Sequence, residues 1–132
     1  MAAIGGYVFD DSKVASADLS GKQYYGVKLH TVEGEIALGA AVTDIAYGIL
    51  MNKPKAGEAA VIRVLGKAKA AVDGSGTAIV IGDRLGLGAA GKLVKAHTAD
   101  RPVCAIAQQA ATTDGAIIEV LMTPNGVFRT PA

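Results

Sequence analysis

Val61-Ile62-Arg63-Val64-Leu65 is a five-residue apolar run broken once, at its centre, by a charge. Ile117-Ile118-Glu119-Val120-Leu121 repeats that pattern 56 residues later. Each run follows a shorter apolar piece and a link of small residues. Gly48-Ile49-Leu50 leads through Gly57 to the first run, and Ala105-Ile106-Ala107 leads through Gly115 to the second. Short runs of this kind, rich in β-branched residues and bounded by Gly, read as strands. The chain is therefore expected to carry two similar hairpins. The shorter pieces lie 57 apart, so one insertion separates the copies. Alternation along a strand puts Ile62 with Val64, and Ile118 with Val120, on the buried faces. Two copies are too few for a solenoid, which needs three or more.

The same reading extends outward from the hairpins. Strands are expected at Gln23 to Leu29, Glu35 to Leu38, Ala46 to Met51, Ala59 to Leu65 and Gly66 to Val72. Ala78 to Ile81, Lys92 to Lys95, Val103 to Ala107 and Ala116 to Met122 complete the set. Turns fall at Asp73-Gly74-Ser75-Gly76, Gly82-Asp83 and Asp114-Gly115. Helix is scarce, with Gly39 to Ile45 and Gln108 to Thr112 the best candidates. These elements predict a mainly β fold. It would be a small β-sandwich or β-barrel-like domain over residues 22–132, with at most one or two short helices. Residues 1–21 have no sustained period and read as an extended N-terminal arm.

Composition narrows the function classes. The 132 residues are 51% hydrophobic but only 5% aromatic, with 17 Gly and 25 Ala. Disorder is excluded by the apolar content, and collagen by the irregular glycines. A formal charge of +1 is far from that of a bulk-charge nucleic-acid binder. The local excess of Lys67, Lys69, Arg84, Lys92 and Lys95 over Asp73 and Asp83 lacks interleaved aromatics and reads as a solvated face. The longest apolar stretch, Ile36 to Met51, carries Asp44 and is too short to span a bilayer. The shortage of bulky side chains points to a domain completed by neighbours.

No catalytic, cofactor or metal site is expected. Gly86-Leu87-Gly88-Ala89-Ala90-Gly91 fits a dinucleotide fingerprint, which requires a helix after its third Gly. Lys92-Leu93-Val94-Lys95 reads as a strand instead, and Pro102 leaves no room for a crossover helix. His30 and His97 read as exposed strand-end residues, Cys104 as a packed thiol, and Ser75 as part of a flexible turn. Asp10 and Asp11 read as solvated tail charges. A β-rich trimeric enzyme, or a small-ligand barrel using the Gly82 to Gly91 loop, is the competing class.

One further pattern runs from about Leu19 to Thr123. Its pieces are Gly48-Ile49-Leu50, Ala56-Gly57-Glu58-Ala59 before the Val-Ile-x-Val strand, and Ala78-Ile79-Val80-Ile81-Gly82-Asp83-Arg84-Leu85. Ala90-Gly91-Lys92-Leu93, Pro102 to Ala111, and Asp114-Gly115-Ala116-Ile117-Ile118-Glu119-Val120 follow, then Thr123-Pro124-Asn125-Gly126-Val127-Phe128-Arg129. In this order they resemble the capsid cement, or head decoration, proteins of tailed bacteriophages, although the chain lacks the tryptophan of lambda-type members. The resemblance implies a β-rich structural protein of the virion, on the outer surface of the capsid, with no enzyme activity and no cofactor. It implies a homotrimer at three-fold and quasi-three-fold sites whose partner is the major capsid protein, not nucleic acid or membrane. Within the arm, Tyr7, Val8 and Phe9 are the expected capsid-binding residues, adding a strand to an exposed sheet edge.

Overall fold

A computed structural model describes residues 8–96 and 101–127. It has nine strands: β1 (Phe9–Ala15), β2 (Gly26–Leu29), β3 (Glu35–Leu38), β4 (Gly48–Leu50), β5 (Ala59–Asp73), β6 (Arg84–Leu87), β7 (Leu93–Lys95), β8 (Pro102–Ala107) and β9 (Asp114–Val127). A single 3-10 turn at Ala89–Gly91 is the one helical element among the described residues. The candidate helices at Gly39 to Ile45 and Gln108 to Thr112 are loops instead. In the first, the Asp44 carboxylate accepts the N–H groups of Ala40 and Ala41, closing a turn where a helix would have to continue.

The pairings close two rings of five strands. Ring one runs β1-β3-β2-β4-β5 and returns to β1; ring two runs β5-β7-β6-β8-β9 and returns to β5. Strand β5 belongs to both. Its first half, Ala59 to Leu65, pairs with β1 and β4, and its second half, Gly66 to Asp73, pairs with β9 and β7. The change of partner falls at Gly66, whose φ of 100° is a conformation that side-chain-bearing residues rarely adopt. The sequence reading split this element into two strands at the same glycine. It is one strand of 15 residues bent there.

The internal repeat is real and covers the whole fold. In ring one β1 is parallel to β3 while β2–β3, β2–β4, β4–β5 and β1–β5 are antiparallel. In ring two β5 is parallel to β7 while β6–β7, β6–β8, β8–β9 and β5–β9 are antiparallel. Turn details repeat too. Tyr24, at φ 74°, donates its N–H to Leu50, as Gly82, at φ 93°, donates to Ala107. Leu50 and Ala107 donate back to Tyr25 and Asp83. Ile49 pairs with Arg63 as Ile106 pairs with Leu121, so Arg63 corresponds to Leu121 and not to Glu119. The 56-residue spacing of the apolar pattern therefore falls two residues short on this strand. A two-residue slip keeps every side chain on its own face, so the apolar pattern alone does not detect it.

Each ring has its own core. Ala15, Leu19, Val27, Ile36, Leu50, Ala60 and Ile62 fill ring one. Ala68, Ala70, Val72, Leu85, Leu93, Ala105, Ala107, Ile118 and Val120 belong to the larger cluster of ring two. Barrel diameter grows with strand number, and eight strands are just wide enough to be filled by ordinary side chains. Five leave less room, which gives the alanine excess an intramolecular cause. The rings meet where Leu87 of β6 lies over Gly26 and Gly39 of ring one; a Cβ on either glycine would fall within 2.8 Å of its side chain.

Two further expectations change. The arm expected over residues 1–21 includes a barrel strand, because β1 pairs with β5 from Phe9 to Val14 and Ala15 and Leu19 are buried in the core. Small and charged residues with no period can still form a strand when a neighbour, here β5, supplies the ladder. Ala78 to Ile81 forms no strand. Ile79 makes one isolated bridge to Ala111, and Val80 begins the turn that leads into β6.

Candidate assembly face

The kink in β5 gathers the residues that could meet a partner. Phe9 of β1 pairs with Leu65, and Met122 of β9 pairs with Gly66. The β1 and β9 pairings therefore meet at the Leu65–Gly66 junction of β5. Beyond Met122, β9 continues along β8 to Val127. Val8, Phe9, Leu65 and Leu121 are exposed at the junction. Of the three expected binding residues, Val8 and Phe9 lie on this face, and Tyr7 lies outside the described residues.

Arg63 holds the kink. Its guanidinium donates to both oxygens of Asp10, at 2.8 and 3.0 Å, and its Nη1 donates to the carbonyl of Lys67 at 2.9 Å. It thus ties β1 to the strand on both sides of Gly66. Asp10 and Asp11 are not solvated tail charges. The hydrogen bond from Arg63 holds the Asp10 carboxyl below the ordinary carboxylate range. The Tyr47 hydroxyl donates to Asp11, lowering its pKa in the same direction and raising that of Tyr47. Arg63 was legible as the lone charge in an apolar run; its partner was hidden because β1 was not recognised as a strand.

Replacing Arg63 with Ala is expected to cost about 1 kcal/mol of stability at neutral pH, the scale of a well-aligned, partly exposed bidentate pair. Because the folded pKa of Asp10 is depressed, this contribution is present above the unfolded value of 3.8 and is lost as pH falls through the folded value. Urea midpoints across this acid range should converge for wild type and variant. A constant gap down to the lowest pH would contradict the assignment.

Strand β1 also presents an open backbone edge. Toward β3 it is paired only through Val14 and Ala15. The N–H groups of Val14 and Ser16 reach Gly34 and Ile36, and Asp10 and Ser12 lie in the same phase. The Ser12 N–H is taken by the Asp11 carboxylate at 2.9 Å. No described strand pairs with Phe9 to Lys13 on that side. An unpaired edge is a template for another strand.

The remaining candidates lie elsewhere. Cys104 is buried in ring two, and burial pushes its thiol up to about 12. His30 accepts the Val32 N–H through Nδ1, and His97 lies outside the described residues. Ser75 is held by Asp73 in a turn. The Gly86 to Gly91 fingerprint forms β6 and the 3-10 turn, with Leu85 and Leu87 buried, and leads into β7 rather than a helix. Lys67, Lys92 and Lys95 are matched by Glu119, Asp114 and Asp83. Among the described residues no cluster of three or more His, Cys, Asp or Glu side chains could hold a metal.

No family model and no curated protein matches the chain. Among solved structures, the chain is similar to the head fiber gp8.5 N base of bacteriophage phi29. The TM-score is 0.65 at 18% identity, over 89% of this chain and 95% of that one. At that identity the likeness establishes a shared fold.

Proposed function

We propose that this chain is a structural protein of a phage virion, without catalytic activity. It binds the outside of the head and stabilises the expanded capsid lattice, as a trimer at three-fold and quasi-three-fold sites. The observation that carries this reading is the fold shared, over nearly all of both chains, with the base of a phage head fiber. The sequence resemblance to head decoration proteins points the same way from different observations. The face at the β5 kink supplies a mechanism. The β1 edge accepts or extends a strand of the major capsid protein, with Val8 and Phe9 packing beside it. A trimer engages several capsid subunits at once, so weak contacts gain from effective concentration. Binding the assembled lattice but not its free subunits stabilises it by on the order of 3 kcal/mol per site at a hundredfold excess over Kd.

Because β1 is a barrel strand, the attachment segment is tested by removing residues 1–8 and no more. The truncated chain should keep its circular dichroism spectrum and Tm but lose cosedimentation with expanded heads. Undiminished cosedimentation would remove the N-terminal segment from the mechanism.

A further inference from the structure

The internal repeat gives each ring two end faces, and among the described residues only one face of each is used. Ring two meets ring one through Leu87, which is 1% exposed and lies over Gly26 and Gly39. The pairing register makes Leu29 the ring-one counterpart of Leu87, since each stands opposite the first residue of its β2–β3 or β6–β7 pairing, Ile36 or Leu93. Leu29 is 56% exposed, and nothing among the described residues covers it. Beside it Ile45 is 64% exposed, and the two line a hollow of about 450 Å3 with Tyr47 and the Lys28–Asp44 ion pair.

Among the described residues, the opposite end of the molecule is apolar in the complementary way. The ring-two counterparts of Gly26 and Gly39, which receive Leu87, are Arg84 and Ala96; Ala96 donates to Arg84 as Gly39 donates to Gly26. The turn running directly into Arg84 carries Val80 and Ile81, which are 53% and 72% exposed. Stacked repeats stay soluble as monomers when their terminal units present polar outer faces. Here both terminal faces carry large apolar side chains.

We propose that a second copy of this chain covers these faces. The Leu29–Ile45 face of one copy docks against the Val80–Ile81 corner of the next, continuing between molecules the stacking seen between the rings. The two faces are unlike, so the contact is head-to-tail and closes into a ring wherever its rotation permits, as a trimer requires. The inference supplies contact faces for the trimer proposed above. It rests on self-association alone, not on capsid binding.

The test uses three full-length proteins: wild type, Leu29→Asp/Ile45→Asp, and Ile81→Asp. Their solution masses are measured by sedimentation equilibrium, with circular dichroism and Tm as the check on folding. Wild type is expected to be oligomeric, and each variant alone monomeric. An equimolar mixture should give a two-chain species and nothing larger, because each variant keeps one good face. Ile45→Lys and Ile81→Lys replace any Asp variant whose Tm falls. Monomeric wild type, variants with wild-type mass, or a mixture that stays monomeric would each overturn the assignment. Monomeric wild type that still decorates heads would defeat these contacts while leaving capsid binding standing.

Discussion

Leu87→Ala is expected to destabilise the protein by about 2–5 kcal/mol, the range for a buried leucine whose surroundings cannot collapse. The side chain is 1% exposed and sits between the two rings, against the backbones of Gly26 and Gly39. Those glycines have no side chains with which to fill a void. The cavity would open at the seam that makes two narrow barrels one body. The internal control is Leu29→Ala, the equivalent substitution on the exposed end face, which should change the stability of the monomer by about 0.5 kcal/mol or less. Urea unfolding followed by circular dichroism, at a concentration where the chain is monomeric, measures both. Equal effects from the two substitutions would contradict the stacking of ring two on ring one.

Gly48→Ala carries the second large effect. A Cβ at this position would lie 2.4 Å from the carbonyl oxygen of Arg63 and 2.6 Å from Cγ2 of Ile62. The first of these is backbone of β5, which is held by β1 on its other side and by β9 beyond Gly66. It has no freedom to retreat, so the β4–β5 pairing must open. A loss of about 1–3 kcal/mol, the usual cost of overpacking, is expected, read as a lower urea midpoint. Ring two carries Ala105 at the matching place, opposite Met122, a side chain that adapts readily. Gly76→Ala is the control, since a Cβ there meets nothing within 4 Å. A neutral Gly48→Ala would show that β5 is not fixed between the rings.

Much of this fold was legible in the sequence. The apolar runs at Val61 to Leu65 and Ile117 to Leu121 marked the closing strands of two similar units, and the glycine-bearing links marked the turns. Local pattern could not reveal that β5 serves both rings. Gly66 interrupts a run of strand-forming residues, and a bend within a strand and a break between strands leave the same trace. Nor could it reveal β1, whose Phe9 to Ala15 stretch alternates weakly because its inward positions hold Asp11 and Lys13 against Tyr47. The Ala78 to Ile81 run misled for the opposite reason. Its apolar residues include two that remain exposed, a cost in solubility that makes sense when another surface covers them. In the sequence the alanine and glycine excess points to assembly. Narrow rings and a close seam account for the buried part of it, and a second sign of assembly is the pair of apolar end faces.

Val8 and Phe9 are exposed beside the β5 kink. Arg63 and Asp10, seen in sequence as an oddity in a strand and a tail charge, prove to be one device that fixes that kink.

The most direct test of the central claim is electron cryomicroscopy of expanded heads, built from the major capsid protein of the same genome and incubated with the purified full-length chain. Added density is expected on the outer surface at the three-fold and quasi-three-fold positions, each feature holding three copies of the two-ring body. Heads that remain bare at saturating protein, or density confined to the interior, would contradict it.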